Sequence, residues 1–68
     1  MNIPWKEGSE ISVRIDDHTA VITANREGLL SLAEQLMMLA YEESGSHIHY
    51  DEYNSLEAGS AEMIIGKI

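Results

Sequence analysis

The sequence predicts an α+β domain in the order β-β-α-β-β, with a four-stranded, mainly antiparallel sheet and one helix on one face. Three observations predict this architecture. Apolar residues recur in short β-rich runs over residues 10–24, follow a helical period over residues 26–43, and return in short β-rich runs at residues 47–51 and 61–68. At 68 residues the chain is expected to form one small domain, residues 1–68, with residues 1–9 as a loosely ordered lead-in.

The first two strands are expected to pair as a hairpin. The first strand begins after Glu10 and alternates apolar and polar residues as far as Asp16. The second β-rich run extends from Thr19 to Ala24. Because Asp16, Asp17 and His18 form a short polar break between the two runs, they predict a tight turn.

A single amphipathic helix is expected between the two pairs of strands. Asn25 is a suitable N-cap, and the helix is predicted to continue to about Glu43. Gly28 weakens the first turn by about 1 kcal/mol relative to alanine, so either this end frays or a neighbouring backbone passes close to it. The apolar stripe expected to face the sheet consists of Leu29, Leu32, Ala33, Leu36, Leu39 and Ala40.

The last two strands are predicted at His47–Asp51 and Ala61–Ile68, joined by a long polar loop. Gly45 is expected in the left-handed conformation that ends the helix. Because one helix covers only one face of the sheet, the other face is expected to stay open and partly apolar. A second copy of the chain, giving a homodimer, a different partner or water would then cover it.

The chain is strongly acidic, with twelve Asp and Glu residues against four Lys and Arg residues and a formal net charge of -8. Binding to DNA or RNA requires clustered cations, so this charge argues against a nucleic-acid partner. It argues equally against binding to an anionic membrane surface. The charge is compatible with a basic protein partner and also with simple solubility.

Nothing in the sequence predicts secretion or membrane insertion. The amino terminus lacks a basic segment followed by an apolar one, and no apolar run approaches the roughly 18 residues of a membrane span. The absence of cysteine excludes disulfides and thiolate metal sites. A soluble cytoplasmic protein is therefore expected.

His47, His49 and Asp51 recur at period two, so a strand would place all three side chains on one face. Three interpretations remain open. The trio could form a solvated strand face, which is the most common outcome, contact a partner, or bind a metal such as zinc through imidazole and carboxylate ligands. An H-x-H-x-D run on one strand is a weak metal signature, and no H-E-x-x-H motif accompanies it.

The sequence contains no arrangement typical of a catalytic site. The serines near Gly45 and Gly59 lie outside a G-x-S-x-G motif, and the glycines are too scattered for a phosphate-binding loop. Paired carboxylates such as Glu42-Glu43 are adjacent in sequence, so their side chains diverge and are expected in solvent. The chain is therefore predicted not to be an enzyme and to need no cofactor.

The segment from Ala24 to Ala33, the H-I-H-Y-D run of residues 47–51, the residues Asn54-Ser55-Leu56-Glu57 and the run Gly59 to Ile65 together resemble the immunity protein 32 family. These are small bacterial proteins assigned to polymorphic-toxin systems. The resemblance implies a protein that binds a cognate toxin domain in the producing cell and neutralises it. It identifies neither the toxin nor any functional residue.

The leading hypothesis is therefore a non-catalytic immunity protein that binds a toxin, expected to be basic, through an acidic surface. The alternative is a small metal-binding or homodimeric structural module that uses the strand face of His47, His49 and Asp51. The residues predicted to contact the toxin are Asp16, Asp17, His47, His49, Asp51, Glu52 and Glu57.

Overall fold

A computed structural model describes residues 2–68 of the chain. Its elements are β1 (Ile11–Asp16), β2 (Thr19–Ala24), α1 (Arg26–Ala40), β3 (His47–Tyr50) and β4 (Met63–Gly66). The α+β class and the β-β-α-β-β order are confirmed. The helix and the last two strands are shorter than the sequence predicted.

The four strands form two antiparallel pairs, β1 with β2 and β3 with β4, instead of one continuous sheet. The loop between β3 and β4 occupies the free edge of β1. Its Glu57 N–H donates to the Ile11 carbonyl at 2.8 Å, and its Ala61 N–H donates to the Val13 carbonyl at 2.7 Å. Because this loop satisfies the polar groups of the β1 edge, β1 has no need of a second neighbouring strand.

The turn between β1 and β2 is the tight turn that the sequence predicted. Asp16 pairs with Thr19, which leaves a two-residue loop of Asp17 and His18. Both loop residues have positive φ, 45° and 72°, as a type I′ hairpin turn requires. Aspartate tolerates this left-handed conformation better than most residues do.

The core is small and draws on every part of the fold except β2 and β4. Around it lie partly buried side chains, and the Trp5 ring meets the Tyr50 ring edge to face, with 6.2 Å between the centroids. Such a limited core is expected for a chain of this length. The buried apolar residues are Ile11, Val13, Leu39, Ile48, Tyr50 and Leu56.

The predicted apolar stripe of α1 is not the face that the fold buries. Of its six residues only Leu39 is buried, whereas Leu29 and Leu36 are 55% and 44% exposed. The correction has a direct cause, because the helix is rotated so that a mostly polar face points inward. The buried residues of α1 are Gly28, Ser31, Gln35 and Leu39.

Gly28 sets the position of the helix against β1. A Cβ at Gly28 would lie 2.7 Å from the carbonyl oxygen of Glu10 and 2.8 Å from Cγ1 of Ile11. A neighbouring backbone therefore passes close to the first turn, which is one of the two alternatives expected from the sequence. Asn25 caps this end as predicted, since its side-chain oxygen accepts the Gly28 N–H at 2.8 Å.

Hydrogen bonds from the amino-terminal segment make the polar inner face of α1 stable. Ser31 Oγ accepts the Lys6 N–H at 2.9 Å, and Gln35 Nε2 donates to the Pro4 carbonyl at 2.7 Å. The Tyr50 hydroxyl donates to Gln35 Oε1 at 2.7 Å. Within residues 2–68 no buried side-chain nitrogen or oxygen lacks a partner, so neither polar side chain carries the penalty of an unsatisfied group.

Candidate functional site

Strand β3 alternates as its sequence predicted. Ile48 and Tyr50 point into the core, and His47 and His49 are exposed on the opposite face. Burial in the apolar core raises the pKa of the Tyr50 phenol above its ordinary value. The inner residues therefore fix the strand, and the two imidazoles are presented to solvent.

His49 lies between two carboxylates. Its Nε2 is 3.1 Å from Glu62 Oε2 and 3.9 Å from Asp51 Oδ2, and the three donor atoms lie within 4.8 Å of one another. His47 is outside this cluster, with its Nδ1 3.4 Å from the Gly45 carbonyl oxygen. The structure thus keeps two members of the predicted trio and adds Glu62 from the segment preceding β4.

Glu62 was missed because its position depends on strand register. Tyr50 pairs with Met63, so the next residue in each direction brings Asp51 and Glu62 opposite one another. The sequence separation of these two residues says nothing about that pairing. The hydrophobic pattern of the two strands and the geometry of the loop between them determine it.

Asp51 and Glu52 both stabilise the loop between β3 and β4. Asp51 Oδ1 accepts the N–H groups of Tyr53 and Asn54 at 2.9 and 3.0 Å. Glu52 Oε2 accepts the Gly59 N–H at 2.8 Å. These two predicted contact residues therefore have structural partners within the chain, so their substitution would change the loop as well as the surface charge.

Asp16, Asp17 and Glu57 differ from them. All three are exposed, and within residues 2–68 their carboxylates take part in no hydrogen bond or ion pair. Such groups can meet a cation without first losing a partner. Within residues 2–68 no hydrogen bond or ion pair joins the turn at Asp17 to the cluster at His49.

An open groove of about 590 Å³ lies beside β3. Ile3 lines it together with residues 42–49, among which Glu42 and Glu43 are acidic and His47 and His49 carry imidazoles. This groove offers concentrated negative charge and hydrogen-bonding groups in a concave shape, which suits a lysine or arginine side chain. Glu42 and Glu43 were expected only as solvated charges, and their place in the groove follows from the early end of α1.

No helix within the described residues, 2–68, is long and apolar enough to cross a membrane.

Comparison with known proteins gives one positive result. A sequence model of immunity protein 32 matches residues 19–68, which include β2, α1, β3 and β4. No curated protein and no solved structure matches the chain significantly. Because the match extends over well more than half of the chain, it confirms the resemblance noted in the sequence. The chain therefore belongs to the immunity protein 32 family.

Proposed function

We propose that this protein neutralises a cognate bacterial toxin domain by binding it, without catalysis, in the cytoplasm of the producing cell. The observation that carries the proposal is the family match over residues 19–68. The toxin would belong to a polymorphic-toxin system, and the complex would hold it inactive until it leaves the cell.

The partner is a toxin with a basic surface. With a net charge of -8, the protein attracts a cationic partner and accelerates its association. A nuclease toxin is one class with such a surface, because it must itself attract phosphate groups. In this mechanism the acidic protein occupies the cationic surface that the toxin needs for its substrate.

Two parts of the surface are proposed to contact the toxin. The groove at Glu42, Glu43 and His47 would receive a basic side chain, and the free carboxylates of Asp17 and Glu57 would pair with cations at the rim. Asp51 and Glu52 would contribute indirectly, because they hold the loop that carries Glu57.

The proposal is tested with the toxin domain that affinity capture of the tagged protein from its native cells recovers. Co-expression should protect cells from that toxin, and calorimetry of the purified proteins should give a one-to-one complex. Glu42→Gln with Glu43→Gln should weaken binding at least about tenfold, in line with loss of charge-assisted contacts at an interface. The matched control is Glu34→Gln, which removes an exposed charge from α1 outside the groove and should leave affinity within about twofold.

Salt dependence provides a second measurement. Raising the salt concentration should mainly slow association, since screening weakens long-range attraction more than it weakens short contacts. The electrostatic mode of toxin binding would be refuted by two results together: an association rate that does not change with salt concentration, and equal affinity in the Glu42→Gln, Glu43→Gln variant and the Glu34→Gln control. Failure to protect cells would refute the immunity function.

The cluster of His49, Asp51 and Glu62 supports a second candidate function, binding of a divalent metal. Zinc held at about 2.0–2.2 Å needs tetrahedral ligands roughly 3.4 Å apart, and the donor atoms here lie within 4.8 Å of one another. The two N–H groups on Asp51 Oδ1 orient that carboxylate, as outer hydrogen bonds do at metal sites. The cluster would leave further coordination positions open.

Zinc titration by calorimetry tests this second candidate. His49→Ala should abolish binding, and His47→Ala, which removes another exposed imidazole outside the cluster, should not. Equal losses in both variants, or no saturable binding by the wild type, would exclude the site.

A further inference from the structure

We infer that the outward face of α1 is a symmetric interface between two copies of this chain, which pack their helices antiparallel. The face is called the outer stripe here and consists of Arg26, Leu29, Ala33, Leu36 and Ala40. These five positions follow one another at spacings of three and four residues, the repeat by which two helices pack along a common seam. The inference is independent of toxin binding.

The outer stripe is exposed along its whole length. Every one of its residues is exposed, and Leu30 and Met37 extend it on one side with 43% and 67% of their surface in solvent. The stripe carries no acidic residue, although the chain as a whole has a charge of -8. Two copies could therefore meet here without placing carboxylates against each other at the seam.

The total surface indicates that an interface of this kind is missing from the single chain. The protein exposes 4864 Å², whereas a compact monomer of 7.6 kDa exposes about 4,300 Å². The excess of roughly 600 Å² approaches the ≈ 800 Å² that each partner contributes to a standard interface. The second copy would cover the apolar part of this additional accessible surface.

The stripe is complementary to itself in the antiparallel direction. A twofold axis at Ala33 sets Leu29 opposite Met37 of the second copy and Leu30 opposite its Leu36. The small side chain at the axis lets the two helices approach closely. Large apolar side chains thus lie on both sides of the small Ala33 side chain. In a single copy they face solvent, and in the dimer they pack against those of the second copy.

Charge complementarity selects the antiparallel direction over the parallel one. The last turn of α1 contains no basic residue, so its carbonyl groups have no cation from their own chain. The same axis brings Arg26 of each copy to that end of the other helix, opposite Ala40. There the Arg26 guanidinium lies beside the negative end of the other helix's dipole. The dipoles of the two antiparallel helices also attract one another.

The inference is tested first by the mass of the full chain in solution. Sedimentation equilibrium of the wild type at physiological salt should give twice the 7.6 kDa chain mass. Leu36→Lys should raise the dissociation constant about 100-fold or more, because the symmetric interface loses two apolar contacts and gains two buried charges. At concentrations low enough for the wild type to be monomeric as well, its thermal unfolding should stay close to that of the wild type, since Leu36 is outside the core.

Ile64→Lys is the matched control. It introduces the same charge at an exposed apolar residue of β4, and it should leave the dimer intact. Arg26→Glu should weaken the dimer at least about tenfold, although a carboxylate in the first turn stabilises its own helix. Loss of association in that variant is therefore not explained by unfolding.

Cross-linking gives a readout that does not depend on affinity. The chain has no cysteine, so Ala33→Cys introduces a single thiol at the proposed axis. It should form a disulfide-linked dimer readily, and Ile64→Cys should not, because a disulfide requires Cα atoms within about 7 Å.

A wild type that remains monomeric at submillimolar concentration would overturn the inference. So would a dimer that survives Leu36→Lys, dissociates with Ile64→Lys, or fails to cross-link through Ala33→Cys. If the wild type is monomeric and Leu36→Lys instead abolishes binding of the toxin domain, the outer stripe belongs to the toxin and the dimer is wrong.

Discussion

Gly28→Ala is the substitution that most directly tests the orientation of α1. In an exposed helix position this change stabilises by about 1 kcal/mol, because alanine is the better helix former. Here the added methyl would lie 2.7 Å from the Glu10 carbonyl oxygen and 2.8 Å from Cγ1 of Ile11. Two opposing effects are therefore present at one residue.

The contact outweighs the propensity because neither neighbour can move easily. The Glu10 carbonyl accepts the Asn25 N–H at 3.0 Å, and the Glu10 N–H donates to Asn25 Oδ1 at 3.0 Å. Ile11 is completely buried. Overpacking in such surroundings costs about 1–3 kcal/mol, so the gain from propensity leaves a net loss of about 1 kcal/mol.

The assay is thermal and urea unfolding of the wild type and the variant. A net loss of about 1 kcal/mol lowers Tm by roughly 4–8 °C in a domain of this size. Gly66→Ala is the control, since the nearest atom to its added methyl is His47 Cβ at 4.0 Å, an ordinary contact. That control should be neutral or slightly stabilising.

The opposite result would refute the reasoning. If Gly28→Ala raised Tm, the methyl would lie in open space and the first turn of α1 would not pack on β1. The predicted apolar stripe would then be free to face the core, and the outer stripe would lose its basis. One unfolding curve therefore discriminates between the two rotations of the helix.

Three further predictions concern the buried hydrogen bonds and the loop. Tyr50→Phe should cost about 1–3 kcal/mol in urea unfolding, because Gln35 Oε1 stays buried and loses its donor. The free energy of unfolding of the wild type should fall as pH rises above about 10, because Tyr50 ionises there in the unfolded chain while burial keeps its pKa higher in the folded protein. Tyr50→Phe should make this pH dependence less steep, and an unchanged slope would contradict the prediction. Asp51→Ala should destabilise the protein by about 1 kcal/mol and speed amide hydrogen exchange at Tyr53 and Asn54, whose N–H groups would lose their acceptor. Asp51→Asn retains a side-chain acceptor and should destabilise less; equal losses in the two variants would show that Asp51 Oδ1 does not stabilise the loop.

Local signals in the sequence were sufficient for the elements themselves. Alternation and a polar break predicted the β1–β2 hairpin, and Asn25 marked the start of α1. These two features depend on neighbours within a few residues, so the chain specifies them without reference to the rest of the fold. The expected helix end at Gly45 was wrong: α1 ends at Ala40 with Tyr41 as its C-cap, and Gly45, with a φ of 93°, lies in the turn that precedes β3.

Features that depend on distant partners were not predictable in this way. The bonds that hold Ser31 and Gln35 inward come from Lys6 and Pro4, 25 and 31 residues away. The place of Glu62 beside His49 depends on the register of β3 and β4. Hydrophobic periodicity shows which face of a helix is apolar, but it does not show what covers that face.

The rotation of α1 that buries its polar face determines both the stability of this domain and the composition of its surface. If the apolar stripe pointed inward, the amino-terminal segment would lose its hydrogen bonds to Ser31 and Gln35, and both side chains would return to water. Satisfied polar groups make the observed rotation stable, and the same rotation forces Leu29, Leu36 and Met37 outward. A surface of this kind is costly for a lone acidic monomer, because exposed apolar side chains promote association. The buried polar face of α1 and the apolar interface on its outward face therefore both follow from the rotation of the helix about its own axis.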